Sequence, residues 1–235
     1  MRGCLVTLAL LATIVGLVVW FALPPLVATL AQGALVAAGL EAATTTVDVL
    51  ADPPPKLLTL TADTIRIRAT NARFHGLEAV DVDVTLGDVR LIDRTFGELS
   101  GTLDFVTLPA SDGQRITIPS VVLSGDAERA QATLTFPKAI AEDLAVGAVK
   151  ATTGITPDRV TFSGPDRVRI TGPGLAVDAR LAVQDGALLL VPPSSDSLGS
   201  ITLVEPGPSV PVRIDSVRVI DGGLVLLATL DPNAS

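Results

Sequence analysis

Several stretches of this chain alternate apolar and polar residues with a period of two. Ile65-Arg66-Ile67-Arg68 does so, and so does Val80-Asp81-Val82-Asp83-Val84-Thr85-Leu86. Thr102-Leu103-Asp104-Phe105, Ala132-Thr133-Leu134-Thr135-Phe136 and Arg167-Val168-Arg169-Ile170 continue the habit. Successive side chains of a strand point to opposite faces. Each stretch therefore predicts a strand with one aliphatic face and one wet, charged face. That is the pattern of antiparallel sheet rather than of a doubly wound parallel one. Near the end of the chain the pattern closes on itself twice, in ARLAVQDGALLLVPP and in VRIDSVRVIDGGLVLLAT. Asp-Gly between two runs of β-formers signals a hairpin. Leu181 and Val183 lead into the first and Leu188 and Leu190 lead out; Val217, Val219, Leu224 and Leu226 do the same for the second.

Turn signals separate the runs: Asn71 to Gly76, Gly87-Asp88, Ser111-Asp112-Gly113, Ser124-Gly125-Asp126, Ser163-Gly164-Pro165-Asp166, and a Pro-rich loop at residues 205–211. One clear helix interrupts them. Pro137 suits its first turn, KAIAEDLAVGAVKATTG follows with Ile140, Leu144, Ala148 and Ala151 on one stripe, and Gly154 suits its C-cap. Aromatic residues are only 3% of the chain and Tyr is absent, so the core is aliphatic. The expected fold is α+β, a curled antiparallel sheet packed on a long helix.

The N-terminus is different. Residues 5–23, LVTLALLATIVGLVVWFAL, carry no charge and match the ~20 residues needed to span a bilayer. Trp20 and Phe21 stand at the end where amphipathic rings favour the interface, and Pro24-Pro25 stops the helix. Arg2 and the amino terminus favour an N-inside orientation. Residues 1–25 are thus expected to be a signal anchor, with a cleaved signal peptide as the competing reading, and residues 26–235 an extracytoplasmic domain. Residues 26–43 are nearly uncharged too, with Val27, Leu30, Ala31, Ala34 and Ala38 on one stripe. They read as a helix that leaves the membrane and packs on the domain, or as a weak second span.

Formal net charge is −8, and basic residues are scattered singly. That argues against nucleic acid, which needs a Lys/Arg-rich surface, and against docking on anionic headgroups by bulk charge. The only cysteine, Cys4, has no apolar stretch ahead of it and is not expected to be a lipid anchor. His75 stands alone in a turn-like segment, with no G-x-S-x-G elbow to serve. No His/Cys cluster suits zinc, and neither a P-loop nor a dinucleotide fingerprint is present. Asp81 and Asp83 are the best carboxylate pair, and they read as the solvated face of one strand rather than as an acid–base or calcium site. No enzyme activity, cofactor or metal is expected.

The strand-and-turn pattern of the two C-terminal hairpins resembles the end of the LmeA-like phospholipid-binding proteins of actinobacterial cell envelopes. The earlier order is similar: an N-terminal anchor, a helix, LLTLTADTIRIRATNA, GLEAVDVDVTLGDVRL, then AQATLTFPKAIAEDLAVGAVKATTGITPDRVTF. The resemblance covers most of residues 26–230. It implies a non-enzymatic, membrane-anchored extracytoplasmic protein that binds phospholipid and supports envelope lipid or lipoglycan assembly. It also implies a fold similar to tubular lipid-binding domains.

An acyl chain needs only an aliphatic groove, since burying each CH₂ gains about 0.8 kcal/mol. The residues expected to line such a groove are Val82, Val84, Leu103, Phe105, Leu134, Ile140, Leu144, Leu181, Leu188 and Leu190. The alternative is a non-catalytic envelope scaffold whose sheet closes on a dry core and whose charged face meets a protein partner.

Overall fold

A computed structural model describes residues 23–74, 76–109, 115–193, 199–204, 212–221 and 223–230. Residues 1–22 of the expected anchor, with Cys4 and Trp20, lie outside the described residues. So do His75, the turn at Ser111-Asp112-Gly113 and the Pro-rich loop. Pro24 and Pro25 are described and lie inside a helix that runs on to residue 37, so they do not end a helix as expected. Among the described residues no helix is long and apolar enough to cross a membrane.

The described residues open on helix α1 (residues 23–37). Strand β1 (Thr44–Leu50), a short 3-10 helix (Pro54–Thr59), β2 (Thr61–Phe74), β3 (Leu77–Arg90), β4 (Glu98–Pro109), β5 (Arg115–Gly125) and β6 (Gln131–Pro137) follow. Helix α2 (Lys138–Thr153) leads to β7 (Arg159–Ser163), β8 (Arg167–Gly172), β9 (Leu175–Gln184), β10 (Ala187–Val191) and β11 (Ile201–Val204). β12 (Val212–Ile220) and β13 (Gly223–Leu230) complete it. The class is α+β and mostly antiparallel, but the strands form two sheets rather than one. The 8-stranded sheet runs β1-β2-β3-β4-β5-β6-β13-β12, and the 5-stranded sheet runs β11-β10-β9-β8-β7. The long α2 excursion lets the last hairpin return beside β6, and the strands between it form the second sheet.

Both Asp-Gly hairpins form where the sequence places them. Gln184 pairs Ala187 around Asp185-Gly186, both with positive φ (53° and 81°), as the tight turn requires. Ile220 pairs Gly223 at the other hairpin. Gly223 has φ 137°, and a Cβ there would lie 1.8 Å from the Phe136 carbonyl oxygen on the neighbouring strand. Only glycine fits that approach.

Helix α2 ends at Gly154, φ 73°, whose N–H donates to the Lys150 carbonyl at 2.9 Å. Its buried side is Ala141, Leu144, Ala145, Ala148 and Val149. Ala151 is exposed, so the buried stripe is rotated toward Ala145 from the one expected. The helix packs between the sheets, touching β5, β6 and β13 on one side and both edges of the smaller sheet, β7 and β11, on the other. This makes a large aliphatic core, with Leu188, Leu190, Leu203, Leu224 and Leu226 at its centre. Burying each such leucine gains about 1.5–3 kcal/mol.

Helix α1 builds a separate, smaller core over the other end of the 8-stranded sheet. Val27 packs with Val47, Ala51, Leu57, Ala62, Ile65 and Val89. Ala31 and Leu35 join it, whereas Leu30 is 66% exposed and Ala34 faces outward. The expected α1 stripe thus splits between two faces. Gln32 Nε2 donates to the Thr45 carbonyl at 3.0 Å and fixes the helix along β1.

Period two does not run unbroken through the long strands. Ala69 and Ala72 are both buried on β2, Leu103 and Val106 both turn inward on β4, and Val121 and Ile118 do so on β5. Each pair is three residues apart. Ala79 and Val82 are the matching pair on β3. The slip coincides with left-handed backbone at Asn71 (φ 48°) and Phe105 (φ 51°). A one-residue slip exchanges the faces, and four adjacent strands make it together, so the pairing survives. Asn71 therefore belongs to β2 rather than to a turn. Gly87-Asp88 also lies inside β3 rather than in a turn, where Asp88 (φ 49°) marks a second slip of the same kind.

Candidate lipid-binding strip and polar groove

Registers across the large sheet bring much of the expected lining together. One row runs Ala69, Val82, Leu103, Val121, Leu134, Leu226, Val217 from β2 to β12. The next row runs Ile67, Val84, Gly101, Leu123, Ala132, Ala228, Ile214. Every member is apolar. The rows thus form a continuous aliphatic surface on one face of the sheet.

Coverage of that surface is uneven. Toward β13 it is sealed by α2 and the second sheet, and toward β1 it is sealed by α1. Leu103 and Leu134 border the α2 core, and Ile67 borders the α1 core. Val82 and Val84 belong to neither core and remain partly exposed between them. Gly101 keeps β3 and β4 close at this point, because a Cβ would lie 2.6 Å from the Asp83 carbonyl oxygen and 2.9 Å from Val84 Cα.

The remaining expected lining residues are placed differently. Leu144, Leu181, Leu188 and Leu190 are buried inside the α2 core, and Ile140 packs against it. They are closed packing, not the wall of the strip. Phe105 does not join either group. Its left-handed backbone turns it out of phase with Leu103, and it stands 54% exposed on the opposite face.

That opposite face is polar and concave. Thr44, Thr46, Arg68, Thr70, Asp81, Asp83, Thr102 and Asp104 line a groove of about 590 Å³ across β1 to β4, and Ala69 and Val82 contribute to its lining as well. Arg66 donates to Asp83 through Nε (2.8 Å) and Nη2 (2.5 Å), while Arg68 pairs with Asp48. In register Asp48 opposes Arg66 and Asp83 opposes Arg68, so each arginine reaches the diagonal acid. The Arg66 hydrogen bonds hold the Asp83 carboxyl below the usual range, and Asp83 raises Arg66 in return. Arg115 and Arg73 flank Glu78, and the Arg115 hydrogen bond lowers its carboxyl most. Asp81 and Asp104 are direct cross-strand partners of like charge, with no ion pair among the described residues. The sequence marked Asp81 and Asp83 as a solvated strand face. The groove was not visible in it, because it is formed by four strands side by side, which no local pattern records.

Among the described residues no polar or charged side chain is buried, and no group of three His, Cys, Asp or Glu is placed to hold a metal ion. Comparison with family models, curated proteins and solved structures finds no match to the chain.

Proposed function

We propose that the chain is a membrane-anchored, extracytoplasmic phospholipid-binding protein that supports assembly of the cell envelope. The observation that carries this reading is the aliphatic strip at Val82, Val84 and Leu103, left partly exposed between two closed cores. Sheet faces of this kind are normally covered, so a run of apolar side chains left partly exposed between two cores is a place for an apolar ligand to bind. An acyl chain laid along the strip replaces water at about 0.8 kcal/mol per CH₂ covered. It needs no charged partner there, and the strip offers none. The uncharged residues 5–23 supply the anchor in this reading, and the resemblance to LmeA-like proteins points the same way.

The test is photocrosslinking of the intact chain in vesicles with a phosphatidylcholine whose acyl chain carries a diazirine. Adducts on peptides containing Val82, Val84 and Leu103 are expected. Adducts confined to residues before α1 contradict the reading, since an anchor alone produces them.

The groove on the polar face favours a second reading, an envelope scaffold. Its carboxylates at Asp81 and Asp104 suit a partner presenting Lys or Arg. A protein that carries no lipid but loses a partner on Asp104→Asn supports this alternative.

A further inference from the structure

The turn residues at one end of the large sheet are apolar and exposed. Leu58 and Leu60 project from the 3-10 helix and its end, and Ile92 from the β3–β4 turn, at 63%, 43% and 69% exposure. The two loops are pinned together, because the Leu91 N–H donates to the Leu60 carbonyl at 2.9 Å. Leu50, the last residue of β1, is exposed at the same end. Turns are ordinarily polar, and four exposed large aliphatics on a shared rim need a reason.

The path of α1 supplies it. Gln32 is held beside Thr45. From Gln32 back to Leu23 the helix rises about 13 Å, and from Thr45 to Leu50 the strand rises about 16 Å. The start of α1 therefore lies level with Leu50, where Leu23 packs near Leu57 and Leu91. The chain that enters α1 at this end is the uncharged run of residues 5–22. Leu26 and Leu30, in the half of α1 nearest this end, are exposed as well.

We propose that this rim, formed by Leu26, Leu50, Leu58, Leu60 and Ile92, inserts into the lipid interface and seats the domain on the bilayer that holds its N-terminus. The inference rests on the anchored reading above and adds an orientation to it. The sheet stands with its 3-10 helix and β3–β4 turn in the membrane, and the β2–β3 turn points away. Lys56, Arg90 and Arg94 at this end stand among Asp52, Asp63 and Asp93. Charge therefore gives no net attraction to anionic lipid, and contact is driven by apolar burial.

The experiment uses the full chain in phosphatidylcholine vesicles, with Cys4→Ser and single cysteines at Leu58→Cys, Ile92→Cys or Thr117→Cys bearing an environment-sensitive fluorophore. Thr117 is exposed and level with Thr107 and Glu78 at the far end of the sheet. That end is roughly 40 Å from the rim along the 14-residue β2. With iodide on both sides, quenching at 58 and 92 is expected to be about fivefold weaker than at 117. A doxyl-lipid quencher should reverse the order, and Ile92→Glu should return the 58 probe toward the iodide-accessible level. Equal iodide quenching at all three positions, with the chain retained in vesicles after alkaline carbonate, overturns the rim and leaves the anchor standing. A chain stripped by carbonate overturns both.

Discussion

Leu103 and Val106, three residues apart on β4, point to the same face of the sheet, and Phe105 between them points to the other. The left-handed backbone at Phe105 makes this possible. A β-branched side chain tolerates that conformation worst. Phe105→Val is therefore expected to destabilise by about 1–2 kcal/mol, although the ring is exposed. Val122→Thr, at another exposed position with ordinary backbone, should stay within about 0.5 kcal/mol. Urea unfolding midpoints decide it, and equal costs contradict the slip.

The two parts of the expected lining should respond differently to truncation. Leu188 is fully buried, so Leu188→Ala is expected to cost about 2–5 kcal/mol. Val82→Ala removes a partly exposed side chain and should cost about 1 kcal/mol or less. Leu103→Gln should lower retained phospholipid several-fold while the far-ultraviolet circular dichroism stays native. Unchanged lipid content in Leu103→Gln argues against the strip.

Glycine at 223 is required by space as well as by φ. Gly223→Ala drives a methyl into the Phe136 carbonyl and forces β13 off β6. The expected loss is about 3 kcal/mol or more, larger than for an ordinary surface change. Gly33→Ala, which meets nothing within 4 Å in α1, should be neutral or stabilising by up to about 1 kcal/mol. Thermal unfolding of the pair of variants checks both.

Acid should weaken the protein through a few carboxylates. Asp63 is held down first by the Asp52 N–H and then by Lys56, Glu78 by Arg115, and Asp83 by Arg66. Their folded values lie below the unfolded ones of about 3.9 for Asp and 4.3 for Glu. The stabilisation is thus fully present above about pH 5 and is lost as pH falls through the folded values. Urea midpoints should be flat from pH 8 to about 5.5 and decline below about 4. The decline should be shallower in 1 M salt, because these pairs are exposed. A transition centred between pH 5 and 7 contradicts this.

Local signals in the sequence carry much of the architecture. The alternation around Val82 and Leu134, the Asp-Gly hairpins and the Pro137-to-Gly154 helix are all decided by neighbours in the chain. What escaped depends on distant contacts or single backbone angles. The division into two sheets follows from where β12 and β13 return, which no local pattern records. Phe105 looks like an inward residue because its left-handed φ leaves no trace in the alternation. Val82 and Leu188 look alike as aliphatic strand residues, and only the placement of α1, α2 and the second sheet makes one partly open and the other sealed.

The central claim is that this chain holds phospholipid. Native mass spectrometry of the intact protein, released from mild detergent after extraction from its host membrane, tests it most directly. The account predicts a population heavier by one phospholipid mass that persists at collision energies stripping the detergent and diminishes in Leu103→Gln. A single apo mass under the same conditions, unchanged after incubation with envelope lipid extract, would contradict it.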